Sequence, residues 1–175
     1  SFADVLRRQH RVAAHPLDQT LHSGSQTPRT LLALDDPALA AFKGSMDVAV
    51  RDYISRLRAD EADLVGRRKR DRYRFAGLWS TRLGHEGYQP NQVHDRGWIS
   101  GIYCVAYAPA ERPRDPHAGW LKFGEPNRPV GRCLAERVIE PKVGTLVLFP
   151  SYVWHGIIPF EGSEHLTAAF DIVPA

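Results

Sequence analysis

The sequence predicts a mainly β protein, a jelly roll with at least one flanking α-helix, and three observations carry that expectation. Seven short runs rich in Val, Ile, Tyr, Phe, Trp and Thr fill the last hundred residues. Most of the 13 prolines and 14 glycines fall between those runs. A single stretch upstream changes to helical period.

From Ser1 to about Leu34 the pattern is mixed and reads as loop, with HPLDQTLHSGSQTP supplying turn chemistry. Asp36 then offers an N-cap, with Pro37 at the first helical position. Leu39, Phe42, Met46, Val50, Tyr53 and Leu57 recur every three or four residues, which predicts one amphipathic helix from about Pro37 to Leu57. Its stripe must pack against a flat apolar surface. The tract GRRKRDRYR at 66–74 reads as a solvated loop before a strand rather than a phosphate- or nucleic-acid-binding patch. Only Tyr73 and Phe75 interleave it as stacking aromatics.

The predicted strands are RFAGLWSTRL, WISGIYCVAYA, GWLKFG, ERVIE, GTLVLFPS, HGIIPF and HLTAAFDIV. Closing them as a double sheet removes exposed edges and leaves the helix to cover one outer face. Neither a repeat nor a second domain boundary interrupts the pattern, so residues 1–175 read as one domain.

A hydrophobic share of 43% and a charged share of 25% are those of a globular chain. The longest apolar runs fall short of the ~20 residues of a membrane span, and no signal-peptide pattern opens the chain. A cytoplasmic protein with no membrane or nucleic-acid partner is expected. Cys104 and Cys133 lack zinc-ribbon spacing and form no disulfide framework, which fits a reducing compartment. Ser1 is not an initiator methionine, so processing or a longer parent chain is expected.

The chemistry-bearing stretches are NQVHDRGWISG and FPSYVWHGIIPF. Strand side chains alternate faces, so Gln92 and His94 share one while His94 and Asp95 ordinarily do not. Non-haem iron sites for oxygen chemistry use two histidines and a carboxylate on one side of the metal. Residues 92, 94 and 155 have that layout, two ligands from one strand-to-turn segment and one from a later strand. By spacing alone, His94 and His155 are either a metal pair or two ordinary histidines of a β core.

PNQVHDRGWISGIYCV, GWLKFGEP, PKVGTLVLFPSYVWHGIIPF and HLTAAFDIVP together resemble the 2-oxoglutarate- and Fe(II)-dependent oxygenases whose double-stranded β-helix (cupin-like) domain often follows tetratricopeptide repeats. The opening HPLDQTLHSGSQT is similar to that family's start. The resemblance implies Fe(II) and 2-oxoglutarate as cofactors, and hydroxylation of an unactivated C–H bond in a small-molecule or peptide substrate. It implies His94 and His155 as catalytic iron ligands. The position of Gln92 normally holds histidine and that of His165 arginine. Glutamine is the weaker ligand, and Asp95, where the family tends to have proline, is a substitute carboxylate if the turn leaves strand geometry. For the far carboxylate of 2-oxoglutarate the candidates are His165, Lys122, Tyr103 and Thr167. The alternative is a degenerate jelly roll that keeps a metal or ligand pocket without catalysis.

Overall fold

A computed structural model describes residues 1–12, 21–27, 30–128, 131 and 134–175. Its elements are α1 (Phe2–Val12), β1 (His22–Gln26), α2 (Pro37–Arg56), β2 (Tyr73–Gln92), β3 (Ile99–Pro109), β4 (Leu121–Phe123), β5 (Arg137–Ile139), β6 (Leu146–Pro150), β7 (His155–Ile157) and β8 (Gly162–Pro174), with single 3-10 turns at Leu31–Ala33 and Gly66–Arg68. Antiparallel pairing in the order β5-β4-β7-β2-β8-β3-β6, with β1 on β2, gives one eight-stranded curled sheet. This is the mainly β, jelly-roll architecture read from the sequence.

Helix α2 forms as its start signals predict. The Asp36 carboxylate accepts from the Ala38 amide at 2.8 Å, and Pro37 gives up a donor that no helix end uses. Its buried stripe is Leu39, Phe42, Met46, Val50 and Ile54, so Ile54 holds the place expected for Tyr53, which is only partly buried with Leu57. Burying each such side chain is worth about 1.5–3 kcal/mol, against about 1 kcal/mol for the cap. Packing therefore holds the helix more than capping does.

The opening residues correct the sequence reading. Instead of loop throughout, α1 and β1 form there. Val5, Leu6 and His10 bury one face of α1 between its arginines, and Phe2 stacks on Phe42 with ring centroids 4.5 Å apart. Residues 13–20 and 28–29, which take in the first six residues and the last residue of HPLDQTLHSGSQTP, lie outside the described residues, as does Cys133. Cys104 is buried and free.

Both faces of the sheet are covered. On the outer face Leu78, Ile99, Leu166, Ala168, Phe170 and Ile172 pack against both helices. On the inner face Leu83, Leu121, Phe123, Phe149, Ile157 and Phe160 fill the curl. The two-residue period along β8 therefore puts His165, Thr167, Ala169 and Asp171 on the inner side. Gly101 is fixed by this packing, because a Cβ there would meet the Phe170 ring at 2.3 Å.

The basic tract is less solvated than expected. Arg68 donates to the Gly97 carbonyl, Lys69 Nζ donates to the Leu57 carbonyl at 2.6 Å, and the Trp98 indole donates to the Val65 carbonyl at 3.0 Å. The loop is thus tied to the segment that carries His94. Arg70 and Arg72 remain exposed. Among the described residues no helix is long and apolar enough to cross a membrane.

Candidate active site

Two strand ends bring the predicted ligands together. β2 and β7 pair with Gln92 opposite His155, beyond an irregularity between Gln89 and Gln92 that turns the end of β2 inward. Two residues further on, the His94 amide donates to the Ser151 carbonyl at 2.8 Å, which fixes the turn just after the strand. The rings of His94 and His155 stand nearly perpendicular, 87° apart, with centroids at 4.8 Å.

The hydrogen bonds decide which nitrogen of each ring is free. His94 Nδ1 lies 2.8 Å from Asp171 Oδ1, and His155 Nδ1 lies 3.1 Å from the Val153 carbonyl. Both partners accept, so each Nδ1 carries a proton in the neutral ring and each Nε2 keeps a lone pair. Ser100 Oγ donates to the same Asp171 oxygen at 2.6 Å and lies 2.8 Å from Ser151 Oγ. Asp171 therefore orients His94 and is itself held in place. Burial pushes the His155 pKa down to about 4, only partly opposed by its bond to Val153, which keeps the ring a neutral ligand at pH 7.

Gln92 Nε2 lies 3.4 Å from His94 Nε2. Rotation about its last bond would present the carbonyl Oε1 there instead. The hollow bounded by Gln92, His94, His155, Trp79 and Thr167 measures about 10 Å³. That is about one water-sized sphere, the scale of an ion and not of an organic molecule. Two Nε2 lone pairs and one amide oxygen suit a borderline divalent ion, so these residues fit Fe(II), with one ligand weaker than the usual carboxylate. Among the described residues no three His, Cys, Asp or Glu side chains form a metal-binding cluster.

Asp95 does not join this hollow. It is exposed in the turn after β2, on an outer depression of about 190 Å³ with Arg67, Arg68, Trp98 and Tyr152. His94 also touches that depression.

A second cavity of about 30 Å³ continues from the first, sharing Ile102, Ile157 and Thr167 with it. His165 lies on its wall, only 3% exposed, and among the described residues its Nδ1 has no hydrogen-bond partner. The ring packs against Tyr107 and Phe160, with centroids at 5.2 and 5.6 Å. Burial pushes its pKa down to about 4, so it is uncharged at neutral pH. His165, a candidate for the far carboxylate, therefore offers a hydrogen-bonding nitrogen but no charge.

Two other cosubstrate candidates face away from the interior. On β4, Leu121 and Phe123 are buried inward while Lys122 points outward, its Nζ 2.7 Å from Glu125 Oε2. Tyr103 meets Phe42 of α2 edge-on at 5.4 Å, on the helix side of the sheet. Lys122, a candidate for the far carboxylate, lines neither cavity, because the inner face of β4 belongs to its two apolar neighbours. Thr167, by contrast, lines both cavities.

Asp171 and its serine partners were not among the residues singled out from the sequence. The signal was present, because Asp171 is the one carboxylate in HLTAAFDIV and falls in the same alternation as His165 and Thr167.

A curled jelly-roll sheet with two oriented histidines at a strand-end mouth is the framework of a non-haem iron oxygenase. Residues 77–171 match the family model described as "Putative 2OG-Fe(II) oxygenase", and the chain belongs to that family. No curated protein matches the sequence. Among solved structures, the viral collagen prolyl hydroxylase of Paramecium bursaria Chlorella virus-1 in complex with 2-oxoglutarate is 13% identical, with TM-score 0.62, covering 99% of this chain and 90% of that one. A Pseudomonas putida prolyl-4-hydroxylase is 16% identical, with TM-score 0.57, covering 99% and 83%. HygX from Streptomyces hygroscopicus, with nickel, 2-oxoglutarate and hygromycin B bound, is 10% identical, with TM-score 0.60, covering 99% and 78%. At these identities the likeness is one of fold.

Proposed function

We propose that the protein is a non-haem Fe(II) oxygenase that uses a 2-oxo acid, 2-oxoglutarate in the family at large, to hydroxylate a C–H bond of a small-molecule or peptide substrate. The observation that carries this reading is the tautomer pair. Asp171 and the Val153 carbonyl both take Nδ1 protons, so His94 and His155 offer Nε2 toward one ion-sized hollow. Gln92 would complete the set through its amide oxygen.

When bound, iron and the oxo acid supply the oxidising chemistry. The chain's own residues orient the ligands, keep His155 uncharged and line an apolar channel that excludes water. His94, touching both the inner hollow and the outer depression, lies between the cosubstrate side and a face open to substrate.

A second reading is a jelly-roll binding module without turnover, favoured by Gln92 in place of a stronger ligand. Anaerobic titration with Fe(II), followed by assay of iron-dependent CO2 release from the 2-oxo acid on admitting oxygen, separates the two. Stoichiometric metal binding with decarboxylation is expected. Metal binding without any decarboxylation would select the binding module.

A further inference from the structure

The far end of the cosubstrate cavity lacks the charge that a dicarboxylate needs. Its walls are chiefly aliphatic, with Ile102, Leu121, Ile139, Val147 and Ile157 around a space of about 30 Å³. His165 provides a buried polar nitrogen with no partner among the described residues. Lys142 is the one cation among the lining residues. It stands at the rim with its side chain 71% exposed, and its Nζ is 3.5 Å from Glu140 Oε2, which offsets the charge.

A carboxylate placed beside His165 would be stripped of water, and a hydrogen bond from a neutral imidazole returns only part of that cost. An aliphatic tail meets no such penalty and gains from the walls. We infer that the cavity at His165 and Thr167 selects a short 2-oxo acid with an uncharged aliphatic tail over the dicarboxylate 2-oxoglutarate. The inference rests on the oxo-acid reading above and narrows it.

The test uses the full chain loaded with Ni(II), which holds the site without oxygen chemistry. Titration calorimetry compares 2-oxopentanoate with 2-oxoglutarate, two five-carbon acids that differ in the far carboxylate. At least tenfold tighter binding of 2-oxopentanoate is expected. His165→Arg should reverse the order by supplying a permanent bidentate cation. Lys142→Ala should leave the preference unchanged. Tighter binding of 2-oxoglutarate to the wild-type protein would overturn the inference while keeping the oxo-acid reading. If neither acid binds the nickel-loaded protein, both fall. The wild-type comparison decides even if His165→Arg does not fold.

Discussion

Replacing Asp171 by asparagine tests whether the carboxylate sets the ligand geometry of His94. The wild-type oxygen Oδ1 accepts from His94 Nδ1 at 2.8 Å and from Ser100 Oγ at 2.6 Å. Asparagine keeps the volume and one acceptor but loses the charge, and its NH2 group turned toward His94 would reverse the tautomer. Outer partners of metal-bound histidines are typically worth 10–100-fold in metal affinity, or about 1.4–2.8 kcal/mol at 1.4 kcal/mol per decade. Weakening two hydrogen bonds to a charged group should also cost stability, about 1–2 kcal/mol given about 1.5–3 kcal/mol for each intact bond. Thermal melting should then fall by roughly 2–8 °C at about 2–4 °C per kcal/mol for a chain of this size. Anaerobic calorimetry with Fe(II) or Ni(II) reads the first quantity and thermal melting the second. A variant that binds metal within twofold of wild type would refute the assignment of Asp171 as the positioning group for His94. Ser151→Ala, at the far end of the same relay, should cost less than Asp171→Asn by both measures.

Gln92→His should tighten Ni(II) binding, since imidazole is a stronger ligand than an amide oxygen for a borderline ion; unchanged affinity would place Gln92 outside the coordination sphere. Lys122→Ala should leave 2-oxo acid affinity within twofold of wild type, because Lys122 is paired with Glu125 on the far face of β4, and a large loss would show that the strand turns over on binding. For acid stability away from the proposed metal site the relevant groups are His10 and His165, both pushed by burial from 6.5 to about 4, and His155 shifts likewise. The unfolded chain binds protons at these sites first, so their contribution is intact above pH 6.5 and is lost as pH falls toward 4. The loss approaches 1.4 kcal/mol per pH unit per histidine, about 2.7 kcal/mol for the pair. Urea midpoints of the metal-free protein at pH 7.5, 6 and 5 measure it, and a flat profile would contradict the burial of both rings.

Where periodicity was strong the sequence was legible. The α2 stripe, the cap at Asp36 and the strand alternation all depend on local rules that tertiary contacts reinforce. Helix α1 was hidden because RRQHR reads as polar surface, and it is a helix because Phe2, Val5, Leu6 and His10 find partners on α2 and the sheet. β1, HSGSQ, carries no apolar alternation and owes its form to the open edge of β2. The GHEGYQPN segment looks like turn chemistry, yet it continues β2 to Gln92, because β1 and β7 pair with it there and Gly87 packs so closely on β1 that a Cβ would meet the Ser23 carbonyl at 2.6 Å. Spacing placed Gln92, His94 and His155 near one another. It could not say which face of β4 Lys122 takes, since that depends on whether Leu121 and Phe123 are buried.

The ladders of the curled sheet are uneven in length. β2 and β8 stay paired from Tyr73 to Leu83 with a single shift between Phe75 and Gly77, whereas β2 and β7 meet in only two ladder pairs, Gln89 with Ile157 and Gln92 with His155. The proposed ligands Gln92 and His155 therefore sit on the most sparsely bonded joint they could occupy, while the long ladder lies under the helices. Segments with few shared bonds open locally at lower free energy than the rest of a domain. An ion held between the two strands would bind only the closed form and add RT ln(1 + [L]/Kd) to its stability, about 2.7 kcal/mol at a hundredfold excess over Kd. Amide hydrogen exchange along His155–Ile157 should accordingly be fast without metal and slow with it, while exchange along β8 hardly changes. Loading would thus complete the fold locally as well as equip it for chemistry.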